Sequence, residues 1–374
     1  MRIYLDHNAG APLRPEVRVA MLDVLGPPAN PSSAHREGAR ARSAVEASRA
    51  EVAAVIGAAP SEIVFTSGAT EANNLALRGT AGGIVTAAIE HASVLETARA
   101  LAAAGRRLTV VGVDEEGHVD TDEIAAALDA TTGLVSVGLA NGEVGSIAPV
   151  AAIAAAARSR RVLVHTDAAQ AGGRIPVDVA QLGVDLLSLS SHKMGGPAGV
   201  GALWARRGTA LTSLLTGGPQ ERGRRAGTEN VAGIVGFGVA ARLARAELAL
   251  AGATAALVDR LWAGIVATIP GAVRHGPRAG SRLPNTLNVR FDGCAGESLL
   301  VLLDLAGIAV SLGSACAAGS AEPSHVLLAM GLDREAARSA IRMSVGPSTT
   351  EADVDRTLAV LPRLVAQVRE RAAA

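Results

Sequence analysis

Lys193 is the residue whose chemistry stands out, because it is the single lysine in a chain of 374 residues that contains 35 lysine and arginine residues together. Arginine can replace lysine at most surface sites, but its guanidinium stays protonated at any pH that a protein experiences. A lysine amine can lose its proton and then attack a carbonyl carbon to form an imine. A retained lysine therefore points to amine chemistry, although chance survival of one lysine also agrees with the sequence.

Two further features could act together with this amine. Asp167 precedes Lys193 by 26 residues, and the turn Ser67-Gly68-Ala69-Thr70 lies between a predicted strand and a predicted helix. Free backbone N–H groups and the helix dipole make such a turn a candidate phosphate site. Pyridoxal phosphate needs a lysine for its aldehyde, an acid for its pyridine nitrogen and a phosphate pocket. The alternatives are ordinary helix N-caps at Asp167 and in the turn.

Three more side chains could complete such a site. His91 follows a predicted strand and could stack on a ring and transfer protons, or it could be a structural histidine of the core. His192 could bind the phosphate and depress the pKa of Lys193, or it could be a solvated loop residue. Arg342 could bind a substrate carboxylate through its forked guanidinium, or it could form a surface ion pair.

The two cysteines are Cys294 and Cys316, and their spacing fits neither a disulfide framework nor a structural zinc site. Cys316 lies in a run of small residues, 311–320, which contains two glycines and is typical of a mobile, partly exposed loop. A thiol on such a loop can act as a nucleophile that reaches the site. Cys294 has no basic neighbour in sequence and is interpreted as incidental. No metal site is expected.

The elements that must position these residues alternate between short apolar runs and alanine-rich segments of helical length. Buried parallel strands read as continuous apolar runs, and segments such as 150–158 are long enough for crossover helices. The pattern predicts an α/β fold with a wound parallel sheet, whose ligands bind at the carboxyl ends of the strands. The predicted strands lie at residues 62–65, 83–87, 134–139, 161–165 and 185–189.

The pattern changes near residue 247, where helices and isolated strands replace the regular alternation. Residues 283–291 are predicted to be extended, and residues 356–373 are predicted to form a polar-faced terminal helix. We therefore expect a large domain over residues 15–246. A smaller domain would combine residues 1–14 with residues 247–374 and carry the cysteine loop.

Charge and hydropathy limit the class of partner. Lysine plus arginine equals aspartate plus glutamate at 35 each, so the sequence shows no basic surface for nucleic acid or for an acidic membrane. The first ten residues lack the apolar core of a secretory signal, and no run reaches the roughly 20 apolar residues of a membrane helix. We expect a cytoplasmic protein that binds a small molecule.

With these residues assembled, the sequence resembles the cysteine desulfurases of the nitrogen-fixation and iron-sulfur-cluster type, within the class V aminotransferase relatives of fold type I pyridoxal enzymes. The resemblance covers nearly the whole chain and rests on several motifs in order. They are Tyr4-Leu5-Asp6-His7-Asn8-Ala9, Asn30-Pro31-Ser32-Ser33-Ala34-His35, Phe65-Thr66-Ser67-Gly68-Ala69-Thr70-Glu71, Glu90-His91, His165-Thr166-Asp167-Ala168-Ala169-Gln170, Ser190-Ser191-His192-Lys193, Arg225-Ala226-Gly227-Thr228-Glu229-Asn230 and Gly313-Ser314-Ala315-Cys316.

The resemblance implies a large domain with a mainly parallel seven-stranded sheet flanked by helices, a smaller α+β domain, and a role for each site residue. Lys193 would carry the covalent link to pyridoxal phosphate, Asp167 would pair with the pyridine nitrogen, and His91 would stack on the ring and move protons. Gln170 would contact the phenolic oxygen, Arg342 would bind the substrate carboxylate, and Cys316 would take the sulfur. The implied phosphate ligands are Ala69, Thr70, Ser190, His192 and, from the other subunit of a homodimer, Thr228.

The implied activity is removal of sulfur from L-cysteine, which yields L-alanine and a persulfide on Cys316. A sulfur acceptor, such as an iron-sulfur scaffold protein, would collect the persulfide. The alternatives are a selenocysteine lyase, another class V enzyme such as a small-amino-acid transaminase, and a non-catalytic sulfur-trafficking scaffold without cofactor.

The chain departs from the family pattern at two places. Asn141-Gly142 stands where the family usually has two asparagines. Asn141 is taken as a contact of cofactor and substrate, and the alternative is that the contact belongs to the second position, which is Gly142 here. The cysteine loop has Leu312 where serine is common and Ala317-Ala318 where small polar residues are common, so its polarity differs.

Overall fold

The computed structural model describes residues 2–28, 30–278, 282–313 and 322–373, with side chains described up to residue 371. Within these ranges the chain forms an α/β body with one large sheet and two small ones. The strands, in chain order, are β1 (Ile3–Tyr4), β2 (Ile63–Thr66), β3 (Gly83–Ala87), β4 (Leu108–Val111), β5 (Thr132–Ser136), β6 (Leu163–Asp167), β7 (Leu186–Ser190), β8 (Gly201–Ala205), β9 (Ala272–His275), β10 (Thr286–Phe291), β11 (Ile308–Ala309) and β12 (Ala340–Ser344).

Alanine-rich and amphipathic segments form the helices between these strands. Alanine has the highest helix propensity, and the helices bury their apolar side chains against the sheets. The helices are α1 (Pro15–Leu25), α2 (Arg36–Val55), α3 (Ala69–Arg78), α4 (Ala92–Ala103), α5 (Thr121–Ala127), α6 (Val150–Ser159), α7 (Val179–Leu182), α8 (Val231–Glu247), α9 (Ala251–Thr268), α10 (Gly296–Leu305), α11 (His325–Ala329), α12 (Arg334–Arg338) and α13 (Glu351–Ala373).

The large sheet has the strand order β2-β8-β7-β6-β5-β3-β4. Only β8 runs antiparallel to its neighbours, β2 and β7, whereas the pairings among β7, β6, β5, β3 and β4 are parallel. The predicted mainly parallel seven-stranded sheet is thus confirmed. Parallel order brings the carboxyl ends of β6 and β7 to one edge, where their polar residues meet.

Helices cover both faces of the large sheet. On one face Val85, Val135 and Leu187 pack in a cluster with Ile153 of α6 and Phe237 of α8. The other face carries a second cluster, which contains Val64, Ile84, Leu134 and Leu186 of the strands and Leu75 of α3. Because both faces are buried, the strands need no polar side, which is why they read as unbroken apolar runs.

The predicted strand at residues 83–87 has the observed bounds, whereas the one at residues 161–165 is displaced by two residues. Arg161 adopts a left-handed backbone conformation with φ 59° and donates its N–H to Arg158 O at 3.1 Å. This turn ends α6 and delays the start of β6. Such a local conformation is uncommon outside glycine and has no clear mark in the sequence.

Residues near both ends of the chain share a second core. In the three-stranded antiparallel sheet β10 lies between β12 and β9, and β1 pairs in parallel with β11. Leu5, Leu261, Phe291, Ile341 and Val365 belong to one buried cluster beside these sheets. The predicted extended run at residues 283–291 contains β10. The domain boundaries at residues 14 and 246 stay predictions.

The terminal helix α13 begins at Glu351, five residues before the predicted start at residue 356. Thr350 and Asp353 bond reciprocally, since Thr350 N–H donates to Asp353 Oδ2 at 2.9 Å and Asp353 N–H donates to Thr350 Oγ1 at 3.2 Å. This is a capping box, and the Thr-x-x-Asp spacing in the sequence marks it.

The helical stretch Val231–Thr268 is long and apolar enough to cross a membrane by length and composition alone, contrary to the expectation that no run approaches that limit. The stretch is divided by a single 3-10 turn at Leu248–Leu250. Its side chains Phe237, Leu261 and Ile265 are fully buried in the two cores. We interpret α8, which buries nine residues, as a core helix of this fold, whereas α9 contacts the second core through Val258, Leu261 and Ile265 and leaves most of its surface outside it.

Candidate active site

A cavity of about 470 Å³ opens where the loops after β2, β3, β6 and β7 meet. This is the edge predicted for ligand binding in a parallel sheet. Most of the residues predicted from the sequence to form the site lie in its wall. They are Ala69, Thr70, His91, Asn141, Asp167, Gln170, Ser190, His192, Lys193 and Arg342.

Lys193 ends a single 3-10 turn, Ser191–Lys193, directly after β7. Its Nζ donates hydrogen bonds to the backbone oxygens of Asn8 and of Ala9, the latter at 3.1 Å. Burial, together with the nearby Arg174 and Arg342 guanidinium groups, lowers the pKa of this amine to about 8. An appreciable fraction of the amine is therefore unprotonated near neutral pH, as an amine nucleophile requires.

Asp167 lies at the end of β6, and its carboxylate is held from two sides. Asn73 Nδ2 donates to Oδ2 at 2.7 Å, and the backbone N–H of Ala169 donates to Oδ1 at 2.9 Å. The same Asn73 amide also donates to Ser93 Oγ at 2.8 Å. Residues 169–175 form turns and a bend, so the alternative of a helix N-cap at Asp167 is not what the structure shows.

The N-terminus of α3 forms the third part of the site. Gly68, with φ 154°, turns the chain from β2 into the helix that begins at Ala69. The first N–H groups of a helix have no carbonyl partner within it, so they are available for an anion. Beside this turn, Ser190 Oγ and His192 Nδ1 lie 2.9 Å apart. Burial, together with the Lys193 charge, lowers the pKa of His192 to about 4, so its ring is neutral at pH 7.

His91 caps the N-terminus of α4. Its Nδ1 accepts a hydrogen bond from the Ser93 backbone N–H at 3.1 Å and lies 2.7 Å from Ser93 Oγ. Because Nδ1 is an acceptor here, the neutral ring carries its proton on Nε2. His91 is exposed to solvent in the single chain, unlike a structural histidine of the core.

Arg342 lies on β12 and is 3% exposed, so it is not part of a surface ion pair. One terminal nitrogen contacts Asp6 Oδ1 at 2.7 Å, and the other donates to the Gly313 carbonyl at 2.5 Å and to the Gly142 carbonyl at 3.3 Å. Among the described residues Arg342 Nε has no hydrogen-bond partner. The guanidinium is thus fixed in the cavity wall with one buried donor unused.

The chain matches the aminotransferase class-V family over residues 3–357. It belongs to this family. One similar relative is the protein named cysteine desulfurase IscS of Dictyoglomus turgidum, which is 44% identical over 376 residues that cover 98% of this chain and 95% of that protein. Another, named cysteine desulfurase, comes from Cereibacter sphaeroides and is 46% identical over 380 residues, or 98% and 97% of the two chains.

Solved structures agree with the sequence relatives. A structure titled NifS-like protein has a TM-score of 0.90 at 38% identity, and the match covers 98% of this chain and 100% of that one. The predicted fold class, a fold type I pyridoxal enzyme, is therefore confirmed. The structure titled SspA in complex with cysteine has a TM-score of 0.83 at 34% identity and covers 94% of this chain.

The departure at Asn141-Gly142 has a structural counterpart. Asn141 Nδ2 donates to Ile89 O at 3.0 Å, and its Oδ1 accepts from the backbone N–H groups of Glu143 at 2.8 Å and Val144 at 3.1 Å. The Asn141 side chain is thus committed to the backbone. A Cβ at position 142 would lie 2.5 Å from the Gln170 amide nitrogen, so the glycine makes room for Gln170.

Two predicted residues are not brought to the cavity by the described chain. Thr228 is exposed and is absent from the cavity wall. Cys316 lies outside the described residues, although Gly313 and His325, on either side of that gap, both line the cavity. Cys294 is 1% exposed, and burial raises the pKa of its thiol to about 11, so this thiol is not a reactive one.

Several site residues were missed by the sequence analysis. Glu90, 4% exposed, accepts the Gly138 N–H at 2.9 Å through both carboxylate oxygens, and burial raises its pKa to about 8. His325 Nε2 lies 2.9 Å from Glu90 O. The Glu90-His91 pair after an apolar run could have indicated Glu90. Asp6 is part of the Tyr4–Ala9 motif but was given no role, because its partner Arg342 is distant in sequence. Arg174 was not singled out, because one of its partners, His7 O, is also distant in sequence.

Proposed function

We propose that the chain works as a cysteine desulfurase through a persulfide on Cys316, with pyridoxal phosphate bound in the cavity beside Lys193. The chain is an enzyme of the cysteine desulfurases, which remove sulfur from L-cysteine. The observation that carries the proposal is the meeting of an amine with a lowered pKa, a fixed carboxylate and a helix N-terminus in one cavity.

The residues of the cavity fit this cofactor. The Lys193 amine suits its aldehyde, the Asp167 carboxylate suits a protonated pyridine nitrogen, and the start of α3 with Ser190 and His192 suits its phosphate. When bound, pyridoxal phosphate supplies an aldehyde for the amine and an electron sink for bonds at the substrate α-carbon. Asn73 keeps the Asp167 carboxylate in place by its 2.7 Å hydrogen bond.

Arg342 is placed to bind the substrate carboxylate. The guanidinium lines the cavity, and its planar arrangement of donors is the one that carboxylates match. The Asp6 partner prevents the guanidinium from turning away. The similarity to SspA, whose structure contains cysteine, supports L-cysteine as the substrate.

Lys193 and His91 handle the protons of the reaction. The unprotonated Lys193 amine can accept a proton from the substrate and return it at another atom. His91, with Nδ1 held by Ser93, presents Nε2 as its proton-bearing atom.

Cys316 takes the sulfur. Its thiolate attacks the substrate sulfur, so that a sulfur–sulfur bond forms while the substrate carbon–sulfur bond breaks. The electron pair of the broken bond returns to the carbon skeleton, which takes up a proton and leaves as L-alanine. The persulfide then passes to an acceptor, for which we propose an iron-sulfur scaffold protein in the cytoplasm.

The test compares two cysteine variants, Cys316→Ala and Cys294→Ala. We expect Cys316→Ala to lose alanine and sulfide production from L-cysteine, whereas Cys294→Ala, altered in the core of β10 and its neighbours, should keep it. Alanine and sulfide would be assayed together, and the persulfide would be located by mass spectrometry of the cysteine peptide. Undiminished output from Cys316→Ala would eliminate the proposed role.

A further inference from the structure

Arg174 is a half-buried cation beside the cavity that has no carboxylate partner among the described residues. Its guanidinium donates instead to three oxygens, namely Gln170 O at 3.3 Å, Gln170 Oε1, and His7 O at 3.0 Å. Burial lowers the pKa of Arg174 to about 9, and the charge of Arg342 contributes. Leaving a charge in this state is costly unless neighbouring dipoles compensate it.

Hydrogen bonds connect Arg174 to Lys193 through the Gln170 amide and the Asn8 carbonyl. Because Arg174 holds Gln170 Oε1, the amide turns its Nε2 toward Asn8, and Nε2 donates to Asn8 O at 3.1 Å. Lys193 Nζ donates to the same Asn8 carbonyl and to Ala9 O. Arg174 also holds His7 O, so it fixes both Gln170 and the turn that the lysine contacts.

A second cavity, of about 500 Å³, lies on the other side of Lys193. Both Lys193 and Arg174 line it, together with Arg14 and Glu247. Arg14 is paired with Glu247 through two hydrogen bonds, which cancels its charge locally. Arg174 has no ion-pair partner among the described residues, and the other carboxylate of this cavity wall, Glu16, is exposed to solvent.

We propose that Arg174 is a positioning residue for the desulfurase reaction, which holds the Gln170 amide and the turn at residues 6–10 in the arrangement that Lys193 requires. This inference rests on the proposed roles of Lys193 and Gln170. It makes the guanidinium necessary for turnover although it touches neither substrate nor reacting atoms.

Besides holding these groups in place, Arg174 lowers the pKa of Lys193 through its charge. Arg174 and Arg342 disfavour a cation at Lys193, Asp167 and Asp6 favour one, and His192 is the neutral neighbour in sequence. Loss of the Arg174 charge removes one of the two cationic groups, so the Lys193 pKa should rise.

The experiment uses holoenzyme of Arg174→Met, Arg174→Gln and Arg174→Lys. The matched control is Arg106→Met, because Arg106 is likewise half-buried without a carboxylate partner and donates to the carbonyls of Gly82 at 2.7 Å and Leu77 at 2.5 Å, at the opposite end of the sheet. Steady-state kcat and KM for L-cysteine, the pH profile of kcat/KM, and the pH midpoint of the visible cofactor absorbance would be measured.

We expect Arg174→Met and Arg174→Gln to lower kcat by about tenfold or more, the loss typical of removing hydrogen bonds from a charged group. Their absorbance midpoint should move to higher pH. Arg174→Lys should have the wild-type absorbance midpoint, because it keeps the positive charge. It should recover only part of kcat, because an ammonium group cannot hold two oxygens in a fork. Arg106→Met should match the wild type in kcat and midpoint.

Two results would overturn the proposal: wild-type kcat and midpoint in folded Arg174→Met or Arg174→Gln, or equal losses in Arg106→Met. If Arg174→Met does not fold, the comparison of Gln with Lys at the same position decides. The Lys193→Ala variant distinguishes a failure of the Arg174 proposal from a failure of the proposed function. Should borohydride still trap the cofactor on Lys193→Ala, the proposed function itself fails, whatever the Arg174 variants do.

Discussion

At the scale of single residues, burial shifts the pKa values of the ionisable groups in the site. Lys193 gives up its proton more readily because burial and two arginines disfavour its cation. Arginine could not serve here, since its guanidinium would stay charged. The role proposed for Lys193 therefore accounts for the one lysine retained in a chain that otherwise uses arginine.

Glu90 shows the opposite shift, because burial disfavours its carboxylate and the Asp167 charge adds to the effect. Its pKa is raised to about 8, so the folded chain binds a proton that the unfolded chain releases near pH 4.5. The stabilising effect of this proton is fully present below about pH 4.5 and is lost as the pH rises through about 8.

We therefore predict that Glu90→Gln gains stability relative to the wild type as the pH rises from 5 to 9. The gain should be on the order of 2 kcal/mol or more, because glutamine cannot ionise and its oxygen can still accept from Gly138. The free energies of unfolding of the two cofactor-free chains would be measured by urea unfolding at several pH values. Glu96→Gln, at an exposed pair, is the control and should show no such trend. A pH-independent difference for Glu90→Gln would contradict the raised pKa.

At the scale of elements, one irregular segment, Glu221 to Arg225, forms a clamp that is bonded to the chain on both sides of the turn at residues 67–70, which we propose as the phosphate site. Glu221 and Arg222 adopt left-handed conformations with φ 47° and 57°, which cost about 1–3 kcal/mol each for such residues. The Glu221 carboxylate offsets this cost by accepting two bonds from Arg49, at 2.7 and 2.8 Å, and one from the Phe65 N–H at 2.9 Å.

A second ion pair extends the clamp. Arg225 Nε donates to Glu71 Oε1 at 2.9 Å, and Glu71 Oε2 accepts the Ser67 N–H at 2.7 Å. The segment from Glu221 to Arg225 is thus tied to β2 before the 67–70 turn and to α3 after it. The clamp holds the backbone N–H groups that we expect to bind the phosphate.

We predict that Glu221→Gln weakens pyridoxal phosphate binding and lowers the free energy of unfolding by about 3 kcal/mol, because it leaves the buried Arg49 without this carboxylate. Cofactor titration and urea unfolding measure the two effects. The exposed Glu96→Gln variant should change unfolding by less than about 1 kcal/mol. Normal cofactor affinity in a destabilised Glu221→Gln chain would restrict the clamp to a structural role.

At the scale of the whole molecule, the position of Thr228 is relevant to whether a second subunit contributes to the site. It is exposed and lies outside the cavity of its own chain. We propose that it completes the phosphate site of the partner in a homodimer with two-fold symmetry, in which each chain serves the other.

Mixed dimers test this arrangement. Lys193→Ala and Thr228→Asp should each be inactive alone, the second because an added carboxylate repels the phosphate. After the two are mixed and reassembled, about a quarter of wild-type activity should return, since half of the dimers are mixed and each has one intact site. The control mixes Lys193→Ala with the double variant and should stay inactive. No recovery in the first mixture would place Thr228 outside the partner's site.

Local patterns in the sequence predicted five of the seven strands of the large sheet and several polar residues of the cavity wall. The seven-stranded sheet and residues such as Gln170 followed only from the family resemblance. Apolar runs bounded by polar residues predict buried parallel strands, and parallel order by itself brings Asp167 and Lys193 to one edge. The Thr350-x-x-Asp353 spacing likewise marks the capping box at the start of α13. These features depend on neighbours in sequence or on a regular repeat.

Only the tertiary structure decided the charge state and the bonding of the site. Asp6 meets Arg342 across 336 positions, and Arg174 reaches His7 across 167, pairings that no local spacing encodes. The burial that raises the pKa of Glu90 and lowers that of Lys193 likewise arises from packing. The physical reason is that desolvation and Coulomb interactions depend on distance in space, whereas strand and helix periodicity depends on distance along the chain.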